Sequence, residues 1–323
     1  MRRGYLYVTA DENKIEELQS ASLQTSGLGA GPMRVHSTES SDYLPSQPEG
    51  FHDSLTGADL LIGSDLIRKH FPYLTGRAVA ALHVRRAGWL SAQQLGMHLL
   101  ETGRRRGVRF EAGHISGVDV ANGRVSGVRL SSGERVESPI FINAAGPFLK
   151  SVGKLLNVDL PVHTELHLKA AIKDPLGVVG RDAPLLIWAD AQHLPWAQAE
   201  REALAGDDET RWLTQEFPAG VHTRPEGAGD DILMLWEYQT RVLEPSNNPP
   251  MDKQYPEVAL RGLAALLPRM QEYFARMPAP TTRRWLLHPD TREPSIGWPH
   301  VCRARICARR GIGLRHRVGL WSW

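Results

Sequence analysis

Two glycine turns inside one alternating stretch set the tightest limit on how this chain folds. Residues 115–120, ISGVDV, and 124–130, RVSGVRL, alternate with a period of two, and Asn122-Gly123 sits between them. Asn-Gly supplies the two positive-φ positions of a tight hairpin, so the runs pair antiparallel. Ser132-Gly133 then turns into ERVES, giving a three-strand meander within 114–138. The next run, PIFINAAGPF, reads as a buried strand that breaks at Ala145-Gly146-Pro147 into a helix over 148–156.

The clearest helix lies just before the meander. Ser91 is placed to cap it, with Gln94 as its capping-box partner. Arg104, Arg105 and Arg106 fall in the last turn, where cations suit the helix dipole, and Gly107 ends it. VRF at 108–110 follows as a short strand. Upstream, GYLYVT (4–9) and AVAALHV (78–84) read as strands, 11–24 and 58–70 as helical, and the Gly-, Pro- and Ser-rich 26–57 as a long loop. Downstream, 162–173 alternates as a strand, with Val162, Thr164, Leu166, Leu168, Ala170 and Ile172 on one face. Strands follow at 184–189 and 231–238, then a helix over 256–277 interrupted by Pro268.

With 323 residues the chain has room for about two domains. Its 41% hydrophobic and 23% charged residues are ordinary for a globular protein and exclude a disordered or collagen-like chain. No stretch approaches the roughly 20 apolar residues of a membrane helix, and the N-terminus carries no signal-peptide pattern, so a cytoplasmic protein is expected. The net charge of +2 hides an uneven split. Residues 300–323 hold six arginines, both cysteines (Cys302 and Cys307) and no acid, while the rest of the chain is mildly acidic. That tail reads either as a basic binding segment or as a slipped reading frame. The acidic body argues against a nucleic-acid partner.

Few motifs carry chemistry on their own. Gly27-Leu28-Gly29-Ala30-Gly31-Pro32 imitates a dinucleotide fingerprint, but Pro32 fills its sixth position and polar SLQTS precedes it, so it reads as loop. His163 and His167 are four apart on an alternating strand, where such residues share a face roughly 13 Å apart, and no third ligand is evident. No metal site is expected. FINAAGP (141–147) is more informative: a strand ending in Asn-Ala-Ala-Gly lets the main chain approach a cofactor closely, or simply makes a tight turn.

Taken in order, GYLYVT (4–9), HFPYL (70–74), AGWLSA (87–92), RRRGVRF (104–110), INAAGP (142–147), HLKAAIKD (167–174) and TREPSIGWP (291–299) resemble the FAD-dependent oxidoreductases of the D-amino-acid oxidase family. The resemblance implies an α/β (α+β) fold: part of an FAD/NAD(P)-binding Rossmann-like domain with its β-meander, interleaved with an antiparallel-sheet substrate domain. It assigns 1–85 and 160–285 to the substrate domain and 86–159 to the remaining FAD-binding domain. Residues 286–299 become a remnant of the C-terminal FAD motif and 300–323 an aberrant tail. The family's GxGxxG βαβ unit has no counterpart in the sequence, which reads as truncated at the front.

The resemblance further implies FAD as cofactor, near Ile115, Asn143, Ala144, Ala145, Gly146 and Pro147. Trp89, Leu90 and His167 are assigned to the substrate cavity, and no general base is singled out. The expected reaction is hydride transfer to flavin from a C–H beside an amine, on a small amine or amino acid. Without its Gly-rich turn, this chain alone is expected not to hold FAD tightly. The alternatives are a non-catalytic binding or assembly protein that keeps the fold, and an inactive gene product.

Overall fold

The structure, a computed structural model, describes residues 3–38, 41–47, 55–160, 162–239, 242–250 and 252–287. Its strands are β1 (Tyr5–Thr9), β2 (Met33–His36), β3 (Ala58–Ile62), β4 (Ala80–Val84), β5 (Ile115–Ala121), β6 (Arg124–Leu130), β7 (Arg135–Glu137), β8 (Glu165–Lys173), β9 (Leu185–Trp188), β10 (Gln192–His193), β11 (Glu216–Phe217), β12 (His222–Pro225), β13 (Asp231–Leu235) and β14 (Thr281–Leu287). The helices are α1 (Lys14–Thr25), α2 (Ser64–His70), α3 (Ala92–Arg105), α4 (Leu149–Lys154), α5 (Gln198–Ala205) and α6 (Tyr255–Leu263). The TREPSIGWP motif and the basic tail lie outside the described residues.

The chain divides into two compact units, one of Met1–Leu90, Leu168–Tyr238 and Met251–Arg284, the other of Ser91–His167, Gln239–Pro250 and Trp285–Trp323. The first is built on a nine-stranded sheet in the order β14-β8-β13-β12-β9-β1-β4-β3-β2. It is mixed rather than purely antiparallel, because β1 pairs parallel with β9 and β2 parallel with β3. One face is a continuous apolar core: Leu6 and Val8 of β1, Leu186 of β9, Met234 of β13 and Ala170 and Ile172 of β8 are all buried. α6 contacts β13 on this core. Gly262 sits so close to the Trp236 ring that a Cβ there would lie 2.2 Å from it. In β8, Leu168, Ala170 and Ile172 face inward as the alternation predicts, whereas Leu166 is only half-buried.

Two sequence expectations fail in this unit, both for local reasons. Residues 58–62 form a strand, not helix; ADLLI is hydrogen-bonded on both edges, between β2 and β4, and a short apolar run has no periodicity to betray that. The long loop also contains β2, four residues flanked by Pro32 and Ser37. The Gly-rich turn before it serves backbone packing. A Cβ on Gly57 would meet Pro32 O at 1.8 Å, and Gly57 N donates to Ala30 O.

At this edge of the sheet Asp59 is 1% exposed and gathers three basic side chains. Arg34 donates from Nε and Nη2 to its two oxygens at 2.6 and 2.7 Å, His36 Nε2 lies 2.8 Å away, and Arg85 Nε donates to Oδ2. Burial alone would raise the carboxyl pKa; the hydrogen bonds from Arg34, Arg85 and His36 outweigh it and hold the group well below the usual carboxylate range.

The second unit holds the three-stranded meander β5-β6-β7, turned at Asn122 and Gly123, both with positive φ. Ser91 Oγ accepts from Gln94 N at the start of α3, and Gly107 closes its end at φ 85°. The expected strands at 108–110 and 139–145 do not form. Phe110 is 61%, Ile140 71% and Ile142 79% exposed, and no strand among the described residues pairs with either run. An extended segment becomes a strand only when a neighbour takes its ladder hydrogen bonds.

The Asp59 cluster gives a stability prediction. Asp59→Asn leaves the buried Arg85 without its counter-charge and lowers unfolding free energy by roughly 3–5 kcal/mol, read by denaturant titration. Because the folded-state pKa is depressed, the carboxylate contributes fully above about pH 4 and its contribution is lost as pH falls further. The acid limb of the stability profile is therefore shallower in Asp59→Asn than in the parent.

Candidate functional site

The face of the nine-stranded sheet opposite the core carries the polar groups. Cross-strand register puts Tyr7, Ile187, His222, Leu235 and Lys169 in one row, each opposite the next on neighbouring strands. Arg224, Leu233 and Ala171 form the next row, and Tyr5 lies two residues from Tyr7 on the same face. Unlike the core face, most of these side chains are half-buried, so the row borders open space.

Its charges are unusual. Lys169 is 8% exposed, and its pKa falls to about 8, chiefly from burial and then from the Arg224 guanidinium, with Glu237 and Glu226 opposing. Arg224 Nη1 lies 2.5 Å from Glu226 Oε2, and the guanidinium stands 5.0 Å above the Trp89 ring. His222 Nδ1 lies 2.7 Å from Gly220 O, which can only accept, so Nδ1 carries the hydrogen and the neutral ring presents an Nε2 lone pair. Burial lowers the His222 pKa, with Lys169 and Arg224 adding to the effect. The result is two cations beside an imidazole held in its basic form. Tyr5 donates to Gly88 O at 3.1 Å, which ties the chain entering Trp89 to β1.

The second unit supplies the other predicted residues. Asn143 shapes its own turn: Nδ2 donates to Leu149 O at 2.9 Å and Oδ1 accepts from Ala145 N at 3.2 Å. Gly146 takes φ +55°, and no atom lies within 4 Å of where its Cβ would be. The Asn143–Pro147 backbone thus forms an open edge that a flat ligand can approach, which fits one side of a dinucleotide cofactor. Ile115 opens β5 opposite Leu130. His167 Nε2 lies 3.6 Å from Glu165 Oε2, and His163 Nε2 lies 3.2 Å from the other oxygen of the same carboxylate. The Glu165 carboxylate lies between the two histidines, and among the described residues no group of three or more His, Cys, Asp or Glu is arranged for a metal ion. No helix among the described residues is long and apolar enough to cross a membrane.

The structure brings Trp89 together with Arg224, and Asn143, Ala144, Ala145, Gly146 and Pro147 into one turn; Leu90 is exposed. Tyr5, Tyr7, His222 and Arg224 carry no mark in the sequence that singles them out as site residues. The missing signal was β12: HTRP is four residues long and ends in proline, so nothing marked it as a strand whose alternate residues share a face with Lys169.

Solved structures with this fold include a glycine oxidase from Bacillus cereus ATCC 14579 (12% identity, TM-score 0.58, covering 88% of this chain and 60% of that one). Others are an L-proline dehydrogenase from P. horikoshii (12%, 0.61, 90% and 62%) and a modified fructosyl peptide oxidase from Aspergillus nidulans (14%, 0.57, 88% and 61%). At such identities the likeness is one of fold, and the chain spans about 60% of the length of these proteins. No curated protein matches it in sequence. The family description FAD dependent oxidoreductase (DAO) matches residues 2–320, nearly the whole sequence, and the chain belongs to that family.

Proposed function

We propose that this chain contributes to a flavin-dependent oxidation of a small amino acid or carboxylate-bearing amine. The observation that carries the reading is the pair of cations, Lys169 and Arg224, beside a neutral His222 on one sheet face of a chain from this family. Two adjacent cations suit a carboxylate, and Arg224 adds planar, bidentate geometry. His222 Nε2 is suited to take a proton from a substrate ammonium, leaving the amine neutral. FAD, when bound, accepts the hydride from the carbon beside that amine. Ile115 and the open turn Asn143–Pro147 are proposed to hold one edge of it, with Trp89, Leu90 and His167 toward the substrate cavity. A cytoplasmic location and the absence of a nucleic-acid partner are carried within the same proposal.

The test mixes the protein anaerobically with excess FAD and a panel of amino acids, following loss of flavin absorbance near about 450 nm. Reduction should occur with amino acids and be at least tenfold slower with the matching amines that lack a carboxylate. Lys169→Met should abolish that preference. Equal rates for both substrate sets, or an unaltered preference in Lys169→Met, would sink the carboxylate assignment.

Lys169 also sets a pH dependence. Below about pH 8 it is charged and adds to carboxylate affinity; above that it is neutral, so KM for an amino acid should rise through pH 8 in the parent and stay flat in Lys169→Met. For folding the slope has the same sign as that of Asp59. The folded pKa lies below the unfolded value of about 10.4, so the unfolded chain binds more protons and stability rises with pH between the two values.

Gly146→Val tests the cofactor edge. A β-branched residue at φ +55° is strained by roughly 1–2 kcal/mol, and its methyls would fill the open approach. FAD titration by flavin fluorescence should show weak binding to the parent chain, since its one Gly-rich turn is packed against Gly57. Binding should be at least tenfold weaker still in Gly146→Val, with far-UV circular dichroism unchanged. Identical affinities would remove Asn143–Pro147 from the cofactor site.

A further inference from the structure

The sheet face that carries Lys169 and Arg224 joins a balanced set of charges to an apolar ledge, and the two together describe a substrate's side chain. The charges that act on Lys169 are Arg224, Glu237 and Glu226; those that act on His222 are Glu237, Lys169 and Arg224. Two cations thus stand with two acids. Glu226 is engaged by Arg224, its Oε2 lying 2.5 Å from Nη1. The turn between β12 and β13 holds it there: Glu226 N donates to Asp231 O, and Arg181 Nη2 donates to Glu226 O. Further along β8 the charges answer one another, Lys173 with Asp230 and Asp231, and His167 with Glu165.

On the other side of His222 the row is uncharged. The register runs from His222 on β12 to Ile187 on β9 and Tyr7 on β1, two strand spacings or about 10 Å. Both Ile187 and Tyr7 are half-buried. The ledge ends at Tyr7, which packs on the cluster of Leu60 and Leu82 together with Ile15 and Leu18 of α1. The cation nearest the start of α1, Lys14, is already paired with Asp190 at 3.6 Å. Lys169 and Arg224 stand on β8 and β12, the strands either side of β13. A carboxylate held between them over β13 puts the amine beside His222 and sends the side chain over Ile187 toward Tyr7. An apolar side chain buries surface there, whereas a charged one is desolvated on an apolar ledge without an opposite charge.

We propose that the substrate is an amino acid with an apolar side chain of about leucine size, and that Glu226 rejects a second carboxylate by engaging Arg224. This inference rests on the carboxylate reading above, and acids that lack an amine, and so cannot be oxidised, test the two separately. The whole chain, with FAD in excess, is titrated by calorimetry with isocaproate (leucine without its amine), glutarate (glutamate without its amine), acetate and isocaproamide. Isocaproate should bind saturably and at least tenfold more tightly than acetate or glutarate. Ile187→Ala should raise its Kd about fivefold or more and leave that of acetate unchanged. Glu226→Gln, nearly isosteric, should bring glutarate within about threefold of isocaproate. Isocaproamide binding as tightly as isocaproate, an isocaproate Kd unaltered in Lys169→Met, or no saturable heat with any acid would defeat the carboxylate reading and this inference with it. With isocaproate bound through Lys169, parent affinity for acetate or glutarate equal to that for isocaproate would overturn the apolar side chain alone. An isocaproate Kd unchanged in Ile187→Ala would do the same. Glutarate still tenfold weaker than isocaproate in Glu226→Gln would overturn the role of Glu226.

Discussion

Tyr5–Thr9 carries ladder hydrogen bonds on both edges, antiparallel to β4 and parallel to β9. Without that strand, β2-β3-β4 and the strands from β9 to β14 would be two separate sheets, each with a raw edge. The parallel pairing is the demanding one, because it joins residues about 180 positions apart in the chain and no hairpin can set its register. Asp190 fixes the far end by accepting from the Thr9 hydroxyl and Ala10 N, and Gly4 fixes the near end, with its N donating to Ala87 O and its carbonyl accepting from Leu185 N. Tyr5 and Tyr7 face the polar side because Leu6 and Val8 fill the core.

Two buried charges in this sheet show how environment divides structure from chemistry. Asp59 and Lys169 are both nearly inaccessible. Asp59 is surrounded by opposite charge and directed hydrogen bonds, so its ionised form is favoured and it acts as a clasp on β2, β3 and Arg85. Lys169 is penalised by burial and then by the Arg224 charge, which Glu237 and Glu226 only partly offset, and its ionised form is disfavoured. A lysine whose charged form folding penalises is poorly explained as a stabilising group, and such groups cluster at functional sites. The same contrast separates the two histidine sites: Glu165 holds His163 and His167, while His222 has a backbone carbonyl on one nitrogen and its other nitrogen left basic.

Where the sequence could be read, the signal was local. Asn122-Gly123, Ser91 with Gln94, and Gly107 each act through their own backbone, and all three turn or cap where expected. The alternation of β1 and β8 was equally plain. What escaped notice depended on contacts between distant segments. ADLLI is a strand because β2 and β4 flank it, and HTRP is one because β9 and β13 do. The site inherits this limit. Lys169, His222 and Tyr7 share a row only through four successive strand pairings, none of which leaves a mark in any single segment.

The runs at 108–110 and 139–145 make the same point from the other side. Their pattern is that of a strand buried on both faces, and Phe110, Ile140 and Ile142 are instead exposed. Apolar alternation states which environment a segment suits; the hydrogen-bonded neighbour decides whether it enters that environment. The turn that follows needs no such neighbour. Asn143 closes it through its own amide, and Gly146 keeps its positive φ with open space beside it. The proposed chemistry is therefore split by the kind of group each unit provides. One unit offers main chain, which recognises a cofactor by close approach and is sensitive to any added Cβ. The other offers charged side chains on a braced sheet, whose proposed recognition of a substrate carboxylate is sensitive to pH. Because the two would depend on different physics, cofactor affinity and substrate preference are separable under this proposal, with Gly146 assigned to the first and Lys169 to the second.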